Sequence, residues 1–275
     1  MIFINEIEFK PSHFPDGTQM LLDVPIPSTG DKIVPIRWKY ESDEELVTLI
    51  YLANFYEEKE YETWLIMGYI PNARMDRVKK TSEVFTLKYF CKVINSLHFK
   101  KVFVMDPHSP VSEALIDNVV MLTVVPKIKQ VINTILSENN IADDNFVLCF
   151  PDAGAMKRYG EIVENYNFLH GEKKRNWDTG KIEGIDLILD KCETVKGKTV
   201  LMVDDIISYG GTLAYTADKL KESGALKIYA YATHVENSID SENGTLKKRL
   251  ESGIVEKVFT TDSLYSGNNK KIKIL

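Results

Sequence analysis

This sequence of 275 residues has little cysteine and no excess of positive charge. The three cysteines, Cys91, Cys149 and Cys192, are odd in number and far apart, which excludes a disulfide framework or a zinc site and favours a reducing compartment. The formal net charge of -6 argues against a nucleic-acid partner, because a phosphate backbone requires a basic surface.

Long apolar runs are also missing. None approaches the roughly 20 residues of a membrane span, and the N-terminus lacks the basic region and apolar stretch of a signal peptide. We therefore expect a cytoplasmic protein without a membrane partner. A hydrophobic fraction of 44% and a charged fraction of 27% are typical of globular proteins, and this length suits two modest domains.

The sequence instead contains an alternation of short apolar runs and amphipathic stretches. The runs are nearly continuous, which is typical of parallel strands covered on both faces. They occupy residues 64–69, 102–105, 145–150, 199–203 and 227–232. The alternation occurs in two halves, the first ending near residue 122 and the second beginning near Pro126, where the sequence predicts a hinge. The pattern predicts an α/β protein with parallel sheets.

Three helices are predicted from apolar periodicity and end signals. A capping box from Ser42 to Glu45 begins the first helix. The second spans residues 82–97, and the third spans residues 212–223 and ends at Gly224. Two polar segments, residues 171–180 and 237–244, are predicted to be loops.

Polar residues gather where the predicted strands end. This group consists of Asp106, Asp152, Asp204, Asp205 and His234. Because ligands of open α/β sheets lie at the carboxyl ends of strands, the grouping predicts an acidic site for a sugar or a metal-bound substrate.

The segment from Asp204 to Thr212 is the most specific in the chain. An apolar strand leads into two carboxylates, two further residues and then Ser-Tyr-Gly-Gly-Thr before a helix. Glycine permits unusual backbone angles, and the N–H groups of a helix N-terminus bind anions. Ser208 and Thr212 add hydroxyl donors, while paired carboxylates can hold ribose hydroxyls. The segment predicts a ribose-phosphate site; the alternative is a turn with a solvated acidic pair.

This segment resembles the motif that binds phosphoribosyl pyrophosphate (PRPP) in the type I phosphoribosyltransferase fold. Five further segments resemble motifs of the ribose-phosphate pyrophosphokinases within that fold. All six appear in the family's order and together cover nearly the whole chain. The five are residues 14–18 (Phe-Pro-Asp-Gly-Thr), 69–77 (Tyr-Ile-Pro-Asn-Ala-Arg-Met-Asp-Arg), 104–108 (Val-Met-Asp-Pro-His), 151–155 (Pro-Asp-Ala-Gly-Ala) and 172–175 (Glu-Lys-Lys-Arg).

The resemblance implies an α/β fold of two tandem phosphoribosyltransferase-like domains, each a mainly parallel sheet flanked by helices. Residues 1–125 would bind ATP and residues 126–261 would bind ribose 5-phosphate, with residues 262–275 packing back on the first domain. The implied reaction transfers the pyrophosphoryl group of ATP to the 1-hydroxyl of ribose 5-phosphate, giving PRPP and AMP. Mg²⁺ would be the cofactor, and the chain would form a homo-oligomer of at least two copies.

The resemblance also implies roles for individual residues. Lys173 and Arg175 would be catalytic, on a loop that closes over the site. The metal ligands would be His108 and Asp152. ATP would contact Phe14, Asp16, Arg74, Arg77 and His108. Ribose 5-phosphate would contact Asp152, Asp204, Asp205, Ser208, Tyr209, Gly210, Gly211 and Thr212.

The chain departs from the family pattern at several of these positions. Ser208 and Tyr209 stand where the family has Asp and Thr, so the contacts to the sugar phosphate must differ. Met75 replaces Gln and Thr18 replaces Glu, which leaves adenine selectivity open. Ala155 replaces a glycine, and the chain has the length of a shortened form.

Two other functions fit parts of the sequence. A phosphoribosyltransferase that consumes PRPP would share the acidic pair but would not need residues 69–77 or 104–108. A non-catalytic homologue that regulates a synthetase would be marked by damage to the catalytic loop or the acidic pair. Both are intact, although the changes at Ser208, Tyr209 and Met75 keep this second alternative open.

Overall fold

The computed structural model describes residues 1–27, 30, 32–164, 166–175 and 182–275, without the side chains of residues 163, 173–175, 182 and 183. The chain divides into two compact units, Met1–Thr123 and Val124–Leu275. In the described part of the chain, no helix has the length and apolar character needed to cross a membrane.

The first unit is built on a six-stranded sheet. The described strands of this unit, six in the main sheet and two in a separate pair, are β1 (Ile2–Ile4), β2 (Ile7–Phe9), β3 (Ser12–His13), β4 (Gln19–Met20), β5 (Ile33–Trp38), β6 (Glu62–Met67), β7 (Lys101–Met105) and β8 (Val119–Leu122). Its described helices are α1 (Glu44–Glu58), α2 (Thr86–Asn95) and α3 (Val111–Leu115). The sheet order is β2-β1-β5-β6-β7-β8, parallel from β5 to β8, while β1 pairs antiparallel with β2 and β5. β3 and β4 form a separate antiparallel pair.

One face of the first sheet packs against α1 and α2. Leu65 of β6 is fully buried in one cluster with Leu49 of α1 and Leu87 of α2. On the other face Trp64 and Phe103 are half-buried, with ring centroids 5.6 Å apart. Burial therefore alternates along β6 and β7 with the two-residue period of a strand, and the expectation of two fully covered faces is wrong for these strands.

The second unit is built on a seven-stranded sheet. Its described elements are α4 (Val125–Asn139), β9 (Phe146–Phe150), α5 (Ala153–Arg158), α6 (Gly160–Val163), β10 (Asn167–Arg175), β11 (Ile182–Leu189), β12 (Thr199–Ile207), α7 (Gly211–Glu222), β13 (Lys227–Val235), α8 (Thr245–Glu251), β14 (Val258–Thr260) and β15 (Ile272–Ile274). The order is β11-β10-β9-β12-β13-β14-β15, and every pairing is parallel except that of β11 with β10. Pro126 lies in the first turn of α4, where the missing N–H costs nothing.

Both faces of β12 are covered, as its continuous apolar run predicts. Val200 and Met202 belong to the cluster that contains Ala217 of α7 and Leu250 of α8. Leu201, which points to the opposite face, is also fully buried. The central strands of this unit are therefore held by apolar packing on both sides.

The strand that carries the acidic pair is longer than the sequence predicts. We expect it to end at residue 203, but β12 continues to Ile207. Its parallel ladder with β13 persists from Asp204, opposite Ala232, to Ile207, opposite Val235. Backbone pairing with the neighbouring strand therefore outweighs the low strand propensity of aspartate.

The predicted capping box at Ser42 is wrong. The N-cap of α1 is Asp43, and no side chain caps the helix. The carboxylate of Glu45 instead accepts hydrogen bonds from the Trp38 indole N–H and the Glu41 backbone N–H, both at 2.9 Å. These donors, and not the Ser42 N–H, occupy the carboxylate oxygen that a capping box requires.

The loops predicted at residues 171–180 and 237–244 are partly ordered as regular structure. β10 continues through residue 175 and pairs antiparallel with β11, while residues 176–180 lie outside the described part of the chain. The second segment begins with a single-turn 3-10 helix, Asn237–Asp240.

The last residues of the chain join the second sheet and belong to the second unit, whereas the sequence prediction assigned residues 262–275 to the first domain. β15 pairs in parallel with β14. The hydroxyl of Tyr265 donates to Asp240 Oδ2 at 2.6 Å, and the Asn269 side-chain amide donates to Asp240 Oδ1 at 2.8 Å. Burial, and then the bond to Asp240, raises the pKa of Tyr265 to about 12. A β-carbon at Gly267 would overlap this hydroxyl.

Candidate functional site

The ends of β9 and β12 bring three acidic residues close together in the second unit. Asp152 follows β9, and its carboxylate accepts the Ala155 N–H at 3.0 Å, which caps α5. Asp204 and Asp205 lie in the adjacent strand β12. Asp205 is buried and Asp204 is half-buried.

The electrostatics of this acidic cluster are unusual. Burial raises the pKa of Asp204 well above its ordinary value, and the charges of Asp205 and, more weakly, Asp152 raise it further. Such crowding of carboxylates favours a ligand that brings hydroxyl donors or positive charge, and strongly perturbed groups of this kind concentrate at functional sites.

Arg158 completes the cluster and is absent from the sequence prediction. Its guanidinium Nη1 lies 3.4 Å from Asp205 Oδ2, and the Asp205 side chain is only 8% exposed. α5 carries both Asp152 at its N-cap and Arg158 at its last residue. A basic residue one and a half helical turns after a strand-end acid is a weak sequence signal, because only the tertiary fold shows which carboxylate it reaches.

The loop after β12 has the geometry of an anion site. Gly210 has a φ of 78°, a left-handed conformation that favours glycine, and α7 begins at Gly211. The first N–H groups of a helix have no partner within it and are available to an anion. The residues predicted to contact a phosphate, Ser208 to Thr212, form the turn into this helix, and their contact with a phosphate stays a prediction.

The segment from Glu236 to Leu246 supports this loop through hydrogen bonds and packing. The carbonyl oxygen of Tyr209 accepts the N–H groups of Thr245 at 2.7 Å and Leu246 at 3.2 Å. A β-carbon at Gly210 would overlap the Leu246 side chain. Tyr209, which stands where the family has a smaller threonine, has a side chain that is 49% exposed and is therefore not packed inside the fold beneath the loop.

Ser208 has a partner within this supporting segment. Its hydroxyl oxygen lies 3.2 Å from that of Ser238, and Ser238 donates to Glu236 Oε2 at 3.2 Å. The backbone N–H of Glu236 donates to the carbonyl oxygen of Ile207 at 2.8 Å. A carboxylate therefore stands two hydrogen bonds away from the loop hydroxyl.

In the first unit, Asp76 interacts with two of the residues expected to bind ATP, Arg77 and His108. The Arg77 guanidinium makes a bidentate pair with the Asp76 carboxylate, at 2.8 and 3.0 Å. The hydrogen bond from Arg77 holds the pKa of Asp76 below its ordinary value, although burial opposes this effect. A hydrogen bond from Ser109 and, more weakly, the charge of His108 also lower the pKa. Asp76, which the sequence prediction missed, thus connects the segment of Arg74 and Arg77 with the segment of His108. Arg74 and His108 themselves are exposed.

Residues 14–18 form a tight turn. The Phe14 N–H donates to the Thr18 carbonyl oxygen at 2.9 Å, and the Asp16 carboxylate accepts the backbone N–H and the hydroxyl of Thr18 at 3.0 and 2.7 Å. These bonds lower the pKa of Asp16. The ring of Phe14 is 49% exposed, so this turn presents an aromatic face to solvent.

Lys173 and Arg175, the predicted catalytic residues, have their backbone in β10, paired with β11. Their side chains lie outside the described part of the chain. The structure thus places them on a strand rather than in a loop, and their predicted role stays a prediction.

The donor set suits a magnesium ion that is shared with a phosphorylated substrate. No cluster of three or more His, Cys, Asp or Glu among the described residues could hold a metal by itself. Mg²⁺ commonly takes one or two protein oxygens together with phosphates and water. A single carboxylate of this cluster, such as that of Asp152, fits such an ion, because a dication would relieve the repulsion that adds to burial in raising the pKa of Asp204.

A cavity of about 480 Å³ lies elsewhere in the first unit. Its polar lining includes His13 and Glu44, whose side chains lie 3.0 Å apart, together with Glu45 and Thr48. None of the residues predicted to bind ATP lines it.

Comparison with known proteins first defines the fold class. Residues 187–274 match the family model described as the phosphoribosyl synthetase-associated domain. The crystal structure of phosphoribosylpyrophosphate synthetase from Mycobacterium smegmatis matches with a TM-score of 0.76 and 17% identity, covering 97% of this chain and 85% of that chain. The predicted architecture of two tandem phosphoribosyltransferase-like domains is confirmed.

Sequence relatives then give the family. The ribose-phosphate pyrophosphokinase of Thermococcus kodakarensis is 33% identical over 235 residues, which is 84% of this chain and 78% of that protein. That of Pyrococcus furiosus is 31% identical, with the same shares covered. This chain belongs to the ribose-phosphate pyrophosphokinase family.

Proposed function

We propose that this chain transfers the pyrophosphoryl group of ATP to the 1-hydroxyl of ribose 5-phosphate, giving PRPP and AMP. The observation that carries the proposal is the acidic cluster joined to the anion loop by β12, in a member of this family. The sugar hydroxyls match the carboxylates of Asp204 and Asp205, and the 5-phosphate matches the N-terminus of α7.

The reaction forms one bond and breaks one. The 1-hydroxyl oxygen attacks the β-phosphorus, the bond from that phosphorus to the α–β bridging oxygen breaks, and AMP leaves while the hydroxyl loses its proton. Negative charge spreads over the phosphoryl oxygens during transfer, so positive groups give most of the assistance. Lys173 and Arg175 are the residues we assign to this role.

The first unit supplies the nucleotide contacts in this proposal. Arg74 and Arg77 suit the phosphate groups, because guanidinium donates in a planar fork. Arg77 would exchange its present pair with Asp76 for a phosphate, and Phe14 would offer its exposed ring to the base. His108 would hold one Mg²⁺ ion and Asp152 would hold a second, each together with substrate phosphates, whose charge the ions would neutralise.

Assembly into a homo-oligomer is part of the proposal. Large apolar side chains that are more than a third exposed concentrate on the first unit in the described part of the chain. They include Ile7, Leu22, Val47, Tyr51, Val84 and Tyr89. We infer that a second copy of the chain covers part of this exposed apolar surface.

The test is to incubate the protein with ribose 5-phosphate, ATP and Mg²⁺ and to measure AMP together with PRPP. We expect both products in equal amounts. PRPP consumption with a base acceptor would point to a phosphoribosyltransferase, and no AMP with any nucleotide donor would favour a regulatory homologue. Lys173→Ala should lower the rate strongly and leave the melting temperature unchanged.

A further inference from the structure

Ser208 begins the anion loop, and its hydroxyl is connected to a carboxylate. The chain of contacts is Ser208 Oγ to Ser238 Oγ at 3.2 Å and Ser238 Oγ to Glu236 Oε2 at 3.2 Å. We call these three side chains the hydroxyl relay. All three lie in the second unit and within the described residues.

The direction of the protons in the relay follows from hydrogen-bond chemistry. A carboxylate can only accept, so the Ser238 hydroxyl must use its single proton on Glu236. Ser238 can then only accept from Ser208, which uses the single proton of Ser208 in turn. What Ser208 offers to a ligand is therefore its lone pairs.

The backbone around the relay keeps it in place. The Glu236 N–H donates to the carbonyl oxygen of Ile207, the residue before Ser208, and Ile239 is fully buried in the core cluster of the unit. The 3-10 turn that carries Ser238 is thereby fixed against the end of β12.

From this geometry we infer that Glu236 and Ser238 make Ser208 a hydrogen-bond acceptor, so that it recognises a hydroxyl of the sugar instead of a phosphate oxygen. A dianionic phosphate presents acceptors only and cannot donate to Ser208, whereas a ribose hydroxyl can. Glu236 and Ser238 are positioning residues, and Ser208 is a specificity residue. This inference rests on the proposed function for the identity of the sugar phosphate.

The test compares binding of ribose 5-phosphate with binding of inorganic phosphate by calorimetry, at a pH of about 8.5 where phosphate is a dianion. Ser208→Ala should weaken ribose 5-phosphate roughly 2- to 10-fold, the effect of one hydrogen bond, and leave phosphate affinity unchanged. Ser238→Ala and Glu236→Ala, which each remove an acceptor from the relay, should each strengthen phosphate binding roughly 2- to 10-fold, because Ser208 becomes able to donate.

Ser241→Ala is the matched control. Its hydroxyl donates to the Ser238 carbonyl oxygen at 2.7 Å and takes no part in the relay, so both affinities should stay as in the wild type. Melting curves of all variants establish that each is folded. Two relay variants are used so that one misfolded protein does not end the test.

Several results would overturn the inference. One is a loss of phosphate affinity in Ser208→Ala, and another is the absence of any effect of that variant on either ligand. Unchanged phosphate affinity in both relay variants would also overturn it, as would a wild-type chain that binds neither ligand. Binding does not require turnover, so a chain that binds both ligands but forms no AMP refutes the proposed function and not the inference.

Discussion

Arg158 and Asp205 show how a single ion pair can decide the geometry of a site. Arg158→Met should leave the buried Asp205 carboxylate without its guanidinium, lowering the free energy of unfolding by about 1–3 kcal/mol. It should also raise the KM for ribose 5-phosphate, because Asp205 loses its fixed orientation. Chemical denaturation and steady-state kinetics measure the two effects.

Arg249→Met is the matched control for this prediction. Arg249 makes a comparable pair with Asp218, at 2.5 Å between α8 and α7, and neither residue belongs to the proposed site. The Arg249→Met variant should lose some stability and keep the wild-type KM for ribose 5-phosphate. Equal KM values in the Arg158 and Arg249 variants would refute the role of Arg158.

Asp204 gives a prediction about pH. Its folded-state pKa is raised above the ordinary value of 3.8, so its ionisation opposes folding as pH rises from that value through the folded-state pKa. Asp204→Asn removes the ionisation. Its melting temperature should therefore exceed that of the wild type by a margin that is smallest in acid and grows as pH rises, while PRPP synthesis falls.

Scanning calorimetry over this pH range checks the prediction for Asp204. Each kcal/mol corresponds to roughly 2–4 °C in a protein of this size. A margin that shrinks as pH rises would mean that the raised pKa of Asp204 has been assigned the wrong sign.

At the scale of elements, the anion loop depends on the contact between Gly210 and Leu246. Gly210→Ala forces a side chain into a left-handed φ of 78° and into overlap with Leu246, so α8 must shift away from the loop. We expect a loss of at least about 1–2 kcal/mol of stability and a strong loss of ribose 5-phosphate binding.

Gly253→Ala separates the two causes. Gly253 has a similar φ of 75°, but a β-carbon there meets no atom within 4 Å. It should show the backbone strain alone and retain substrate binding. If both variants bind equally well, the loop does not need support from α8.

The elements that could be predicted from sequence are those whose signal is local. Apolar runs predicted β12 and β13, and the glycines with the acidic pair predicted the loop at α7. The extension of β12 to Ile207, the failed capping box at Ser42 and the ion pair of Arg158 could not be predicted. Each depends on a partner outside the local pattern: β13 for the strand, the Met1 amino group for Glu45 and Asp205 for Arg158.

At the scale of the whole molecule, the exposed apolar side chains of the first unit predict self-association. The wild type should have a solution mass that is a multiple of 31.4 kDa. Val47→Lys combined with Tyr51→Lys, on adjacent turns of the exposed face of α1, should shift it towards a single chain. Light scattering coupled to gel filtration measures this mass.

Tyr215→Lys is the control, because it replaces an exposed aromatic residue on the second unit. This variant should have the same solution mass as the wild type. A wild type with a mass of 31.4 kDa at high concentration would contradict the prediction of an oligomer.

Pyrophosphoryl transfer is the central claim, and phosphorus NMR of the reaction of ATP, ribose 5-phosphate and Mg²⁺ tests it most directly. We predict that the α-phosphorus of ATP appears in AMP while the β- and γ-phosphorus atoms appear together in a diphosphate attached to the sugar. Formation of ADP, or of free pyrophosphate with no sugar diphosphate, would contradict the claim.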